Sequence, residues 1–449
     1  MRDRAGPAGA AVTVPEPARY DFDVLVVGAG PAGSAAALEV ARAGYSVALL
    51  ERGPFAGSKN VYGGVVYGRV LDELIPDWPA RMPVQRWVTR RQTMVLDGER
   101  SFTVDFRSQN WGREPYNGAT THRAEFDHWL AGRAEAAGAT LVPSTVVTAL
   151  LRTGTGRVVG VRTDRPDGDL TARVVIACDG VNSFLAGQAG LHTGVQAAHT
   201  TLGVKETLAL PRDTIEERFG VRGSDGVDIE ILGGTGEIPG GAFVYTNRET
   251  VAVGLVLGLE GLSAAGRRPE DLLTELKNHP SVRPLVRGGE VVEYSAHLIP
   301  EGGYRSMPTL VGDGILVAGD AAAMCLAAGI WLEGVNFALG SGMYAGRAAA
   351  EAVRTGDSGT LARYRTLLED SFVLGDHRKL RDAPGLVLSD RMQRRYPGLI
   401  CDLAEGMFTV DNPRPKPGLR RLLRRALRRH RLRRRDLARD TLTALRTFG

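Results

Sequence analysis

Two hydrophobic periodicities alternate near the start of the chain. DVLVV (23–27) is an unbroken apolar run of the kind a strand covered on both faces needs. GAGPAGSAAALEVARAG (28–44) opens on a glycine turn and continues at helical spacing, and YSVALLE (45–51) returns to a strand pattern. Further along, TMVLDGERSFTVDF (93–106) reads as two alternating strands about an Asp-Gly turn. RAEFDHWLAGRAEAAG (123–138) has helical periodicity, whereas RVVGVRT (157–163) and LTARVVIACDG (170–180) read as a second hairpin. From 200 to 300 the pattern is mostly strand-like, notably AFVYTNRETVAVGLVLGL (242–259). GVNFALGSGMYAGRAAAEAV (334–353) predicts a helix rich in small residues, and 358–410 reads as helical.

Nucleotide-binding patterns thus recur at the start, near 180 and near 320, with β-rich material between them. The expected class is mixed α/β, with a discontinuous Rossmann-like domain (21–90, 118–190, 300–355). A β-rich substrate domain (91–117, 191–299) is inserted into it and a helical region (356–412) follows. Residues 1–20, rich in Ala, Pro and Gly and without a sustained apolar core, predict a disordered leader and not a signal peptide. DNPRPKPG (411–418) predicts a break before a basic tail, 413–449.

Charge sharpens this division. The 449 residues hold 56 basic and 51 acidic side chains, but eleven Arg and one Lys fall between 413 and 435 with no acid among them. The remaining chain is therefore net acidic, which argues against a nucleic-acid-binding body. Leu419, Leu422, Leu423, Ala426 and Leu427 fall on one helical face with Arg opposite, which suits an anionic membrane surface; the alternatives are a disordered Arg-rich extension and a docking site for an acidic partner. Cys178, Cys325 and Cys401 are far apart, which excludes a local iron–sulfur or metal site and favours a reducing cytoplasmic setting. Residues 315–332 are apolar, yet Asp320 lies inside the run, against a membrane span. His199 and His297 show no metal spacing.

The chemistry starts at Gly28, Gly30 and Gly33. The first allows a tight turn, the second lets backbone approach a pyrophosphate, and the third lets helix and strand pack closely. Pro31 and Ala32 open the helix whose N-terminus meets the anion. Glu51, followed by Arg52, ends the second strand, where its carboxylate would accept from ribose hydroxyls. This fingerprint fits FAD or NAD. Asp179-Gly180 and Gly319-Asp320, each after an apolar strand, resemble the motifs of glutathione-reductase-type (GR2-type) flavoproteins. That resemblance implies FAD, and places Arg123 near the flavin and Val147 beside the cofactor. Gly329, Gly334, Val335 and Asn336 would aim a helix N-terminus at the flavin's pyrimidine edge, favouring the reduced anion. A second glycine fingerprint and a redox CxxxxC are both missing, so electrons must arrive or leave through a docking partner or a transiently bound molecule.

GSKNVYGG (57–64) narrows the family. Together with GGAFVYTNRETVAVGLVLGL, EYSAHLIPEGGYRSMPTL (293–310) and MFTVDNPRP (407–415), it resembles the FixC-type electron-transfer flavoprotein:quinone oxidoreductases, over roughly 21–415. The resemblance implies an FAD oxidoreductase that passes electrons between an electron-transfer flavoprotein or small ferredoxin-like partner and a membrane quinone. It would work in the cytoplasm or on the inner face of the cytoplasmic membrane. The alternative, on the same fold, is a geranylgeranyl-reductase-like or tailoring enzyme acting on an isoprenoid or other apolar molecule. Ser58, Lys59 and Asn60 would offer donors near the flavin, and Lys59 would stabilise its reduced anion. Lys59→Ala is then expected to lower the flavin midpoint potential, and an unchanged potential would remove that role. Tyr245, Asn247 and Trp331 are candidate pocket residues; no acid, base or nucleophile is assigned.

Overall fold

The structure, a computed structural model, describes residues 11–59, 63–192, 194–329 and 332–449. Asn60 and Trp331 therefore lie outside the described residues.

Two sheets organise the chain. In the first, the strand order is Val12–Thr13, Val147–Arg152, Val158–Thr163, Asp169–Ala177, Phe22–Val27, Val47–Leu50 and Thr140–Val142, with Ile315–Val317 also on Asp169–Ala177. Its centre is parallel and apolar on both faces, because helices cover one side and the 147–163 hairpin and its neighbours the other. The register aligns Val27 with Leu50 on one side and Ala177 on the other, and Ala177 with Val317. Gly28, Glu51, Cys178 and Ala318 consequently emerge along one edge, where open α/β sheets bind ligands. Helix Val335–Thr355 packs along helix Pro31–Arg42. Their closeness depends on Gly342, where an added methyl would sit 1.9 Å from the Ala32 carbonyl oxygen.

The second sheet runs Glu290–Pro300, Thr200–Ala209, Thr250–Gly258, Gly240–Thr246, Asp225–Leu232, Arg86–Asp97, Ala119–Thr120 and Val65–Val66, with Arg100–Arg107 also on Arg86–Asp97. Strand alternation sorts its faces. Val227, Ile229, Val244 and Val253 join a core with Leu272, Leu273 and Leu276 of helix Pro269–Asn278. The intervening positions, Asp228, Glu230, Phe243 and Tyr245, face the first sheet's open edge across a cavity. One buried cation clamps this sheet. Arg86 donates to the carbonyls of Asn247 (2.7 Å), Gly223 and Asp225 (both 3.0 Å) and Arg248 (3.2 Å).

Several boundaries differ from the sequence expectation. Residues 11–20 are no disordered leader, since Val12–Thr13 extends the first sheet parallel to Val147–Arg152; residues 1–10 are not described. Strands Val65–Val66 and Ala119–Thr120, expected in the nucleotide domain, close the edge of the second sheet instead. That sheet's strand also begins at Arg86, ahead of the expected 91. The basic tail forms helices Leu419–Arg429 and Arg434–Phe448. Only its first residue, Leu419, is exposed; the later part of the apolar stripe turns inward. Leu423, Ala426 and Leu427 pack with Tyr396 and Leu399 of helix Tyr396–Phe408, and Arg391 forms a bidentate pair with Asp440 at 2.6 Å. Burying that stripe against a neighbour removes more apolar area from water than a lone helix can, so the tail folds back.

Candidate active site

A cavity of about 890 Å³ lies between the two sheets and reaches the C-terminal region. Its volume is within the range of small-molecule and cofactor sites. One end is the nucleotide edge, lined by Gly28, Gly30, Pro31, Ala32, Glu51 and Arg52. Gly28 has φ +99°, a conformation costly for other residues. Gly33 does not line the cavity; it packs on the loop, where an added Cβ would stand 1.8 Å from the Gly28 carbonyl oxygen. An added Cβ on Gly30 would meet nothing within 4 Å, which leaves the backbone there bare toward the cavity. The Glu51 carboxylate accepts from Ala29 N at 3.1 Å and from Gly53 N at 2.7 Å, so it also holds the glycine loop in shape.

Thr145, Val146 and Val147 form one wall of this end and Asp179 and Gly180 another. Asp179 accepts from Leu185 N through Oδ2, while Oδ1 is buried without a partner among the described residues. Burial pushes its carboxyl up to about 6. Farther in stand Arg123, Gly319, Asp320, Gly329, Gly334 and Val335. Arg123 is held by Asp127 through two contacts of 3.1 Å, both groups buried at the start of helix Arg123–Ala136. Burial raises the Asp320 carboxyl, with His297 and Arg123 opposing.

The loop after the first βαβ unit reaches this cavity through Gly57, Lys59, Gly63 and Gly64. Tyr245 Oη donates to the Gly63 carbonyl at 2.7 Å and would lie 2.2 Å from a Cβ on Gly64, so the second sheet pins the loop. Lys59 is exposed at the rim.

Three expected pocket residues are elsewhere. Ser58 does not line the cavity; its Oγ turns toward Gly53, 2.0 Å from where that residue's Cβ would be. Asn247 is buried in a turn, its amide donating to Thr250 Oγ1 at 2.9 Å and its carbonyl accepting from Arg86. Asn336 does not itself line the cavity; its Nδ2 donates to Glu333, which does. For Asn247 and Asn336 local hydrogen bonds hold the side chain, whereas Ser58 Oγ is buried without a partner among the described residues.

Other lining residues carried no local signal. Tyr67, Asp228 with Glu230, His297 with Glu301, and Met392 come from four chain segments. His297, a scattered histidine in the sequence, lines the cavity together with Ile299, two residues farther along strand Glu290–Pro300; the SAHLIPEGGY stretch was the available clue. No cluster of metal-ligating side chains occurs among the described residues.

The bare glycine loop, the partnerless Asp179 oxygen and the continuous cavity fit a dinucleotide cofactor carrying a ring system. These features define an FAD-dependent oxidoreductase, and residues 23–224 match the family model described as FAD dependent oxidoreductase. Residues 383–449 match the ETF-QO/FixC family C-terminal domain. The chain belongs to the ETF-QO/FixC family. It is 40% identical over 400 residues to Protein FixC of Azorhizobium caulinodans, covering 87% of this chain and 91% of that protein. It is 38% identical over 405 residues to the probable electron transfer flavoprotein-quinone oxidoreductase YdiS of Escherichia coli K12, covering 90% and 94%. Among solved structures, a geranylgeranyl bacteriochlorophyll reductase-like protein of Thermoplasma acidophilum shares the fold, with TM-score 0.69 at 21% identity over 90% of this chain and 95% of that one. The C-terminal match extends through the basic helices, so 413–449 is part of a domain and not an appendage.

Proposed function

We propose that the protein takes electrons from an electron-transfer flavoprotein or a small ferredoxin-like protein and delivers them to a quinone. Gly28, Gly30, Pro31, Ala32, Glu51, Arg52 and Val147 would hold the nucleotide half of FAD. Asp179, Gly180, Gly319 and Asp320 would hold its pyrophosphate and ribitol. Lys59, Arg123, Gly329, Gly334 and Val335 would surround the flavin. Bound FAD supplies reversible two-electron chemistry. Arg123 and the N-terminus of helix Val335–Thr355 offer positive potential toward that end of the cavity, and Tyr245 holds the Gly63 backbone beside it.

The observation that carries this reading is the cavity's far wall. Leu232, Phe243, Val256, Ile299, Val387 and Met392 make it apolar and continuous with the nucleotide edge. Such a wall suits a hydrophobic ring or tail brought against the flavin. Anaerobic stopped-flow on the reduced holoenzyme tests it: a quinone analogue should reoxidise the flavin rapidly. Slow reoxidation by quinone together with saturation of a prenyl chain would replace it with the geranylgeranyl-reductase-like alternative.

Among the described residues no helix is long and apolar enough to cross a membrane. The surface nevertheless offers a place for a lipid-soluble acceptor to approach. Phe102, Val104 and Phe106 are exposed on one face of strand Arg100–Arg107, and Met407, Phe408 and Val410 are exposed at the end of helix Tyr396–Phe408. Arg100 ties the two elements together through Asp402 (2.8 Å) and Glu405 (2.6 Å). Exposed Arg414, Lys416, Arg420 and Arg421 follow in sequence. An apolar patch with bases alongside suits an anionic bilayer surface. Phe106→Ser with Phe408→Ser should cut co-sedimentation with phosphatidylserine vesicles by at least about tenfold, since each ring contributes on the order of 1.5–3 kcal/mol when buried. Unchanged sedimentation would remove this surface from the proposal.

A further inference from the structure

One group of side chains in the cavity has no part in holding FAD. Asp228 and Glu230 lie two residues apart on strand Asp225–Leu232 and so share its cavity face. Arg91, on the neighbouring strand, is paired in register with Asp228. Its guanidinium reaches both carboxylates, with Nε 3.8 Å from Asp228 Oδ2 and Nη2 in contact with Glu230 Oε1. Tyr67 and Thr93 line the same wall, Tyr245 is opposite Asp228 on the next strand, and Glu333 adds a third carboxyl from the segment before helix Val335–Thr355. Asp376 lies behind Glu333.

Charge balance then constrains the wall. Two buried carboxyls share the Arg91 guanidinium, and a third stands close by. Keeping all three ionised would leave uncompensated negative charge out of water, which is costly, so the wall retains a proton instead. Burial raises Asp228, Glu230 and Glu333 alike; Glu230 is raised further by Asp228 beside it, against the pull of Arg91. A purely structural ion pair bridging two strands would need one acid for one base. A surplus acid facing the apolar substrate wall supplies a proton where one is needed.

We propose that the Asp228–Glu230 carboxyl pair, held by Arg91, is the proton donor to the substrate reduced in this cavity. This rests on the reading that the acceptor is a quinone. Quinol formation makes two O–H bonds and consumes two electrons and two protons. Bound reduced FAD would supply both electrons and one proton; the second proton comes from the Asp228–Glu230 pair, whose O–H bond breaks and is re-formed from solvent.

The test compares two oxidants of the reduced, full-length holoenzyme: a short-chain ubiquinone analogue, which needs protons, and ferricenium, which takes an electron without one. Glu230→Gln should slow reoxidation by the quinone about 100-fold, within the usual range for general acid catalysis. Its ferricenium rate and FAD content should stay at the wild-type level. Asp228→Asn relieves the like charge, so the midpoint of the quinone rate's pH profile should move to lower pH. A second readout needs no turnover: the infrared band of a protonated carboxylic acid, present at neutral pH in the wild type, should vanish in Glu230→Gln. Equal loss with both oxidants would reduce Glu230 to a structural role. Unchanged quinone reoxidation or an unchanged infrared spectrum would overturn the proposal. A wild-type flavin that quinone cannot reoxidise would instead overturn the acceptor assignment, and the inference with it.

Discussion

Gly33→Ala is expected to yield protein that folds but purifies with at least tenfold less FAD. The new methyl carbon would be placed 1.8 Å from the Gly28 carbonyl oxygen and 3.2 Å from a Val26 methyl. Neither neighbour can yield cheaply, because one is loop backbone and the other is a fully buried strand residue. Either the helix Pro31–Arg42 lifts away from the strand or the glycine loop moves. Overpacking of this kind costs roughly 1–3 kcal/mol. Charged against the bound state, 1.4 kcal/mol is a factor of ten in affinity. The damage concentrates on the cofactor because the displaced atoms belong to the loop that Glu51 holds in shape. Gly132→Ala is the control: it lies inside helix Arg123–Ala136 with nothing within 4 Å of an added Cβ, and should leave FAD content unchanged. The ratio of flavin to protein absorbance reads both. A wild-type ratio in Gly33→Ala would show that this loop does not bind the cofactor.

Arg86→Met should lower stability by roughly 4–5 kcal/mol, at the extreme end for a single substitution. Methionine fills most of the volume and donates nothing. Four carbonyls, of Asn247, Gly223, Asp225 and Arg248, would lose a charged donor in a buried position. Hydrogen bonds to charged groups are worth about 1.5–3 kcal/mol each, and their losses overlap because the same two turns relax together. Those turns lead into strands Asp225–Leu232 and Gly240–Thr246, which carry Asp228, Glu230 and Tyr245. Urea denaturation should therefore show a lowered midpoint, and the cavity wall that these strands form should lose order. A shift under about 1 kcal/mol would mean that solvent replaces the guanidinium, which its complete burial contradicts.

These two residues mark the limits of what a linear reading reaches. Gly33 was legible because its constraint is local. The spacing Gly28, Gly30, Gly33 between an apolar strand and a small-residue helix states its own geometry. Glu51, Asp179 and Asp320 were legible for the same reason, each following a strand end. Arg86 was not: the carbonyls it serves lie 137 to 162 residues away in sequence. The side chains of Ser58, Asn247 and Asn336 lie off the cavity lining because side-chain rotation and local partners, such as Thr250 for Asn247 and Glu333 for Asn336, are settled only in the folded chain. The Leu and Ala stripe of the basic tail was seen correctly as amphipathic, but its partner is helix Tyr396–Phe408.

The sequence by itself determined the strand, glycine turn and acid of the nucleotide edge, the recurrence of that chemistry at three points along the chain, and the family that these motifs mark. Period and spacing are local properties, and local sterics enforce them. Only the tertiary structure decided which faces meet: that Tyr245 pins the Gly63–Gly64 loop, that Asp228 and Glu230 share Arg91, and that the tail's apolar stripe is covered. Those outcomes depend on strand register and on competition among buried surfaces from distant segments, which no short window of residues contains.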